Sequence, residues 1–329
     1  MRAEWLADGT PREDLCPPRY RRTSRGFFIP WGIGRRDGEL LPTQRVLDAL
    51  PLLPSSGALA GWASAYVQGV SWLDGVDLGT PVPVPVHVGS DTGRSATQVR
   101  FVHDVLDEDE IRVVHGIRVT SPARTAFDAV RWARHLVDAV AVLDAMLRFT
   151  SLTRSQFDAE LERRGGWRGI RQAREAAALA DPAVLSIWES RLRVLYVCNA
   201  HLPPPLVNPW VFDPTWRLLG RPDLFDPAVA HAIEYDGEHH LDPAQRESDE
   251  RRQRGFEAAG VVVTRVDRAD FASRLSLVDR LRADRLAATC SPTCAQTRVV
   301  PAGSTTEIHS HRLPLRIRHL VGAVEPSVA

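Results

Sequence analysis

The period of hydrophobic and polar positions changes several times along the chain, and each change marks a new kind of element. Up to about residue 45 the sequence is rich in Pro, Arg and Gly, with RYRRTSRGFFIP as its one strand-like piece. From Pro54 to about Val119 apolar residues recur at every second position, as in VPVPVHVG and QVRFVHDV, which predicts short strands separated by turns. The period then lengthens. SPARTAFDAVRWARHLVDAVAVLDAML has helical spacing, with Ser121 as N-cap and Pro122 in the first helical position. Helices continue through TRSQFDAELERR and GIRQAREAAALA, and ADPAV at 180–184 breaks the pattern, which places a domain boundary there.

Beyond the boundary the expected order is a helix from Ser186 to Cys198, strands at Leu206 to Phe212, Arg217 to Phe225 and Ala228 to Asp236, a helix from Pro243 to Ala259, and a strand at Val261 to Val266. DPTW at 213–216 suits a hairpin turn. Asp242, Pro243 and Gly260 punctuate the long helix as N-cap, first position and C-terminal stop. A helix before GVVVTRV makes that strand a parallel return. The expectation is α/β: an α+β region at 46–182, then a mixed sheet flanked by helices at 183–287. Residues 1–45 read as an N-terminal extension, and the polar, aperiodic residues 288–329 as a disordered tail.

Composition changes this picture in few places. The 329 residues carry 41 basic and 41 acidic side chains, so any nucleic-acid partner has to be held by a local patch. Every basic side chain is arginine; there is no lysine, which excludes mechanisms that need one. The arginines of the helical region interleave with acids, the pattern of a solvated helix face. No apolar run reaches the ~18 residues of a membrane span, and the N-terminus is charged where a secretory signal is apolar, so the cytoplasm is the expected compartment. Four scattered cysteines fit a reducing environment; CSPTC, with Cys290 and Cys294, lacks a second ligand pair for zinc.

The densest chemistry lies in IEYDGEHH, Ile233 to His240, at the end of an expected buried strand. Alternation puts Glu234 and Asp236 on one face and Ile233 and Tyr235 on the other. If RPDLFD pairs with this strand as a hairpin, Asp223 lies beside Glu234. Carboxylates so gathered raise one another's pKa unless a cation neutralises them, and hard divalent ions such as Mg²⁺ take oxygen ligands. Gly237 lets the chain turn, and His239 and His240 follow where it would pass the metal; the two point in different directions, so one of them at most is expected to align or deprotonate a water. The alternative for each acid alone is a solvated strand end or a turn cap. Glu189 has its own explanation in the capping box Ser186-Ile187-Trp188-Glu189, against a role as outer metal ligand.

These residues carry a resemblance. SIWESRLRVL, RPDLFD, IEYDGEHH and DERRQRGFEAAGVVVTRV together resemble a nuclease-like domain family of unknown function related to very-short-patch-repair endonucleases, within the PD-(D/E)XK superfamily, over about Ser186 to Ala287. The resemblance implies a restriction-endonuclease-like mixed sheet, with Mg²⁺ (or Mn²⁺) held by Asp223 and Glu234. Its glycine-preceding aspartate and histidine match Asp236 and His240, and its helix Asp and Arg match Asp249 and Arg252. The superfamily lysine is absent; very-short-patch-type members use histidine instead, which makes His240 the substitute. The first half is similar to the C-terminal region of abortive-infection antitoxins of type IV toxin–antitoxin systems, through RRTSRGFFIP, GIRVTSPARTAFDAV and HLVDAVAVLDAML followed by SLTRSQF. In that family a winged helix binds promoter DNA; only about 20 residues precede RRTSRGFFIP here, so residues 1–45 are expected to be a remnant of it. Arg124 and Thr125 sit in VTSPARTAFD, where local hydrogen bonds of a first helical turn also account for them.

The functional expectation is an Mg²⁺-dependent endonuclease that hydrolyses DNA phosphodiesters in a defence or toxin–antitoxin setting. Asp223 and Glu234 hold the metal, His240 handles the water, Asp236 shares the metal or orients His240, and Arg221, Arg251 and Arg252 contact phosphate. The rival expectation is a non-catalytic DNA-binding or antitoxin-like regulator with a toxin or regulatory protein as partner, the nuclease fold serving as scaffold.

Overall fold

The computed structural model describes residues 19–24, 27–77, 79–89, 97–237, 252–289 and 297–302. The chain divides into two units, Met1–Arg134 with Ala145–Ala177, and His135–Asp144 with Ala178–Ala329. Both are mixed α/β.

The first unit is built on a five-stranded sheet in the order Ile111–Val114, Ile117–Thr120, Ala58–Leu59, Val84–His87, Val99–Val102. The two outer strands at one end form an antiparallel hairpin, closed by His115 and Gly116, both at positive φ (51° and 76°) as a tight two-residue turn of right-handed strands requires. Ile117–Thr120 runs parallel to Ala58–Leu59, and Val84–His87 parallel to the edge strand Val99–Val102. All four residues of Val84–His87 are buried, so the Val-Pro alternation there is not an inside–outside alternation. Val46, Leu59, Ala63, Val84, Val86 and Val119 form the core with the helices Pro42–Ala49 and Gly61–Val67.

Ser121 caps the helix Pro122–Trp132, its hydroxyl accepting from Arg124 N, with Pro122 at the start. The helical pattern that continues in sequence is interrupted in structure: Ala133 is extended (ψ 143°), and a second helix, Leu136–Phe149, begins after it. Gln172 Nε2 donates to the carbonyls of Val130 and Ala133, satisfying the C-terminal acceptors the break leaves open.

In the second unit a four-stranded sheet runs Leu206–Val207, Leu224–Asp226, His231–Tyr235, Val262–Val266. The middle pair is an antiparallel hairpin, and Val262–Val266 returns parallel to His231–Tyr235. The strand expected from Leu206 to Phe212 is broken at Asn208, whose φ is 47°, and the second half, Trp210–Phe212, joins another sheet. There it pairs with Leu218–Gly220 across the DPTW turn, in which Asp213 Oδ1 accepts from Thr215 N and Arg217 N. The third strand of that sheet is Arg298–Val300, inside the segment expected to be a disordered tail; Val300 pairs with Trp210 and packs on Phe212, and Val299 pairs with Val211, so two apolar residues of the segment join the core. The helix Ile187–Val194 continues as a π-turn, Leu195–Asn199, so the helix expected to Cys198 is present with its last turn widened. Of the helix expected at Pro243 to Ala259, residues 252–258 are described and helical. Among the described residues no helix is long and apolar enough to cross a membrane.

Candidate functional site

Register decides which side chains of the second unit can meet. Leu224 faces Ile233 and Phe225 faces Ala232, and one further step along this antiparallel ladder sets Asp223 opposite Glu234. Ile233, with Tyr235, packs into the core of Leu192, Leu195, Leu224 and Leu281, while Ala232 packs with Phe225 and Phe256 on the other side. Glu234 shares the Ala232 side and is 9% exposed; Arg252, from the 252–258 helix over that side, reaches its Oε2 at 3.4 Å. Tyr235 N donates to Asp223 Oδ2 at 2.7 Å, which fixes the Asp223 carboxylate at the end of the ladder.

Glu189 joins this pair from the helix Ile187–Val194. Its backbone N–H is accepted by Ser186 Oγ, and its own Oε2 accepts from Leu185 N at 2.8 Å and Asn208 Nδ2 at 2.6 Å. The capping role read from the sequence is therefore present, reaching one residue further back. Asn208 also donates its N–H to the Asp223 carbonyl, so a residue in left-handed conformation ties Glu189 to the strand that carries Asp223. Its signal in the sequence is the Asn-Pro pair of VNPW, a turn signature. Trp188 stacks on Tyr235 with ring centroids 5.2 Å apart, pinning the helix to the strand. Burial, then the charge of Glu189 and that of Glu234, push the Asp223 carboxyl up to about 7. Glu189 is also raised, by burial, against its two hydrogen bonds.

The other predicted residues divide. Asp236 is exposed; its N–H donates to Val266 O and continues the parallel pairing. Arg221 donates from Nε to the Asn208 carbonyl at 2.9 Å and lies over the Trp210 ring at 5.3 Å, so it braces the Asn208 turn. His239, His240, Asp249 and Arg251, like Cys290 and Cys294, lie outside the described residues. Among the described residues no three His, Cys, Asp or Glu side chains are arranged to hold a metal ion. The donor chemistry still suits Mg²⁺, which keeps most of its waters and binds through one or two carboxylates plus substrate phosphate. Asp223 and Glu234 are the two carboxylates that would serve as such donors.

At the other end of the same hairpin a second set of buried polar groups pairs within itself. Thr264 Oγ1 donates its single proton to Asp284 Oδ2 at 2.6 Å, so the 2.8 Å contact with His231 Nε2 requires the proton on that nitrogen. Burial holds His231 down at about 4. Tyr196 and Arg285 both reach Asp226 Oδ2.

The first unit buries a charged network that sequence reasoning took for local helix hydrogen bonds. Arg124, fully buried, donates from Nε to Asp128 (2.8 Å) and from Nη1 to Glu110 (2.9 Å) and the Val105 carbonyl (2.8 Å). Glu110 also pairs with Arg164, which pairs with Glu160. His87 Nε2 is 2.7 Å from Asp128 Oδ2. Burial would raise Asp128, but the hydrogen bond from His87 and the charges of Arg124, His87 and Arg131 outweigh it and hold the carboxyl at about 2. Thr125 is part of a hydroxyl cluster with Ser64 and Thr120. The available signal was Arg124 and Asp128 at i and i+4 on an apolar helix face; a side chain buried there needs a charged partner.

Comparison with known proteins follows the same division. Residues 68–181 match the family model of the AbiEi antitoxin C-terminal domain, a span that holds most of the charged network. Two uncharacterised proteins of Mycobacterium tuberculosis, MT2308 and Rv2248, are each 30% identical over 215 residues, covering 62% of this chain and 69% of theirs. No solved structure matches the chain. The chain belongs to the family of these mycobacterial proteins, with an AbiEi-antitoxin-type segment in its first half.

Proposed function

We propose that the protein is an antitoxin-like regulator that acts by binding, to DNA and to a partner toxin. The observation that carries this reading is the antitoxin-domain match over 68–181. The geometry of that span supports it: its buried ionisable groups are spent on one another, Arg124 on Asp128 and Glu110, Arg164 on Glu110 and Glu160, which leaves the surface to do the work. Expression of the chain in cells arrested by the protein encoded beside it tests this directly. Restored growth is expected; continued arrest overturns the toxin-neutralising reading.

A second reading rests on Asp223, pushed to about 7 beside Glu189 and Glu234. Acids so placed are costly unless a cation joins them, which supports a divalent-cation-dependent phosphodiesterase on a restriction-endonuclease-like sheet. Asp223 and Glu234 would hold the ion, which supplies polarisation of the phosphate and a water of lowered pKa. His240 would position that water. Cleavage of DNA with Mg²⁺ or Mn²⁺, lost in Glu234→Gln and reduced about 10²- to 10⁴-fold in His240→Ala, is the expected result. Absence of cleavage with either ion leaves the sheet as scaffold.

A further inference from the structure

Arg252 meets a buried acid in a different way from Arg124 and Arg193. Arg124 is fully buried and reaches Asp128 and Glu110 at 2.8 and 2.9 Å, and Arg193 reaches Asp144 at 2.7 Å. Arg252 brings Nη2 to 3.4 Å from Glu234 Oε2, beyond the ~2.7–2.9 Å of a strong charge-assisted bond. Its side chain is 35% exposed, while the acid is buried. The charge is close enough to act, and the contact is too long to lock.

The fold builds this arrangement. Arg252 and Phe256 stand four positions apart on the helical segment 252–258 and so share a face. Phe256 is buried with Phe225, Ala232 and Val261, which anchors that face over the strand carrying Glu234. Gly220, at the end of the strand Leu218–Gly220, makes room for both side chains: a Cβ there would lie 2.8 Å from Phe256 Cζ and 3.0 Å from Arg252 Cδ. Packing thus holds the stem of Arg252 and lets its guanidinium reach on toward the acids. The charge is felt at Asp223 as well, where burial, Glu189 and Glu234 raise the carboxyl and the Tyr235 N–H and Arg252 oppose them.

The other two acids are tied by N–H groups that cannot leave: Asp223 Oδ2 accepts from Tyr235 N, and Glu189 Oε2 from Leu185 N and Asn208 Nδ2. Glu234 is met by a charge on a long side chain. A divalent ion held by Asp223 and Glu234 would need that carboxylate for itself. It would also lie a few ångströms from a guanidinium left in place, and like charges so close repel strongly where water is scarce. We infer that Arg252 is an internal counter-ion of the carboxylate cluster, which stands at Glu234 while no divalent cation is bound and is displaced when one binds. The exchange sets the cation concentration at which the site loads. It needs rotation of one side chain and no movement of the helix, which Phe256 holds in place. The inference rests on the divalent-cation reading above and adds the residue that regulates it.

Titration of the full chain with Mn²⁺, the free ion being followed by electron paramagnetic resonance, tests the exchange without recourse to cleavage. The variants are Arg252→Gln, Arg252→Lys, Glu234→Gln and the control Arg268→Gln, at an exposed arginine of the same unit. The parent should bind Mn²⁺ at a site that is lost in Glu234→Gln. Arg252→Gln should bind it about tenfold more tightly, because a partly screened positive charge has gone, while Arg252→Lys keeps the charge and, like the control, matches the parent. Thermal melting separates this from a structural role: without cation Arg252→Gln should melt below the parent, and its gain at the same Mn²⁺ concentration should exceed the parent's. In the parent itself, Mg²⁺ should move the Arg252 Nε–H resonance to that of an exposed arginine. Binding seen only in Arg252→Gln would support the exchange in its strongest form. Glu234-dependent binding that is equal or weaker in Arg252→Gln, or an Arg252 resonance unmoved by saturating Mg²⁺, overturns the exchange and leaves the cation reading standing. Absence of Glu234-dependent binding from both the parent and Arg252→Gln overturns both.

Discussion

Each unit buries one aspartate whose carboxyl is strongly shifted, and the two shifts have opposite signs. In the first unit Asp128 lies among His87, Arg124 and Arg131, and its carboxyl is held at about 2. In the second unit Asp223 lies beside Glu189 and Glu234, and its carboxyl is pushed up to about 7. An acid interleaved with arginines serves the fold; an acid set among acids costs the fold something, and that cost is retained where another partner is wanted. The difference makes one cluster part of the architecture and the other a cost to the fold.

The comparison breaks first at Arg124. Replacing it by methionine leaves Glu110 and Asp128 buried near each other with one cation fewer, and should cost about 3–5 kcal/mol by denaturant titration. A loss below about 1 kcal/mol would mean that the network reorganises freely and is not a structural element.

The same substitution, Asp to Asn, should then act in opposite directions at the two acids. Asp128 has a folded pKa below its unfolded value of about 3.9, so its ionised form contributes stability above that value, lost as pH falls toward 2. Asp128→Asn should therefore destabilise at neutral pH by about 1–3 kcal/mol. Asp223 has a folded pKa above its unfolded value, so folding favours the protonated form; stability is present below about pH 4 and declines as pH rises through about 7. Asp223→Asn should stabilise the metal-free protein at about pH 8 by some 1–2 kcal/mol, after allowance for solvent, with the gain vanishing near pH 4. Parallel pH profiles for parent and variant would remove the contrast.

The smallest effect sharpens it most. Glu189→Gln keeps the acceptor for Leu185 N and Asn208 and removes the charge that weighs most on Asp223. The Asp223 carboxyl, followed by NMR titration, should fall from about 7 toward the ordinary range, with little change in melting temperature. An unmoved Asp223 would show that burial alone sets its value.

The sequence made some of this legible for physical reasons. Ser121-Pro122, the DPTW turn and the alternation of IEYD are local signals, and each forms the expected element. The hairpin that sets Asp223 opposite Glu234 was readable because both strands are apolar and the turn between them is short. What escaped is long-range. The link from Arg124 to Glu110 and on to Arg164 joins residues 14 and 54 positions apart, and no periodicity encodes it. Asn208 was hidden inside an expected continuous strand from Leu206 to Phe212, and its hydrogen bond to Glu189 spans 19 positions.

If the first unit works by its surface and the acids of the second are not needed for that work, protection from the partner toxin should not depend on them. The measurement is growth of toxin-expressing cells carrying the parent chain or the double variant Asp223→Asn/Glu234→Gln, at matched protein levels. The account predicts equal protection by both. Protection by the parent and none by the double variant would contradict it and make cleavage at the carboxylate cluster the operative activity.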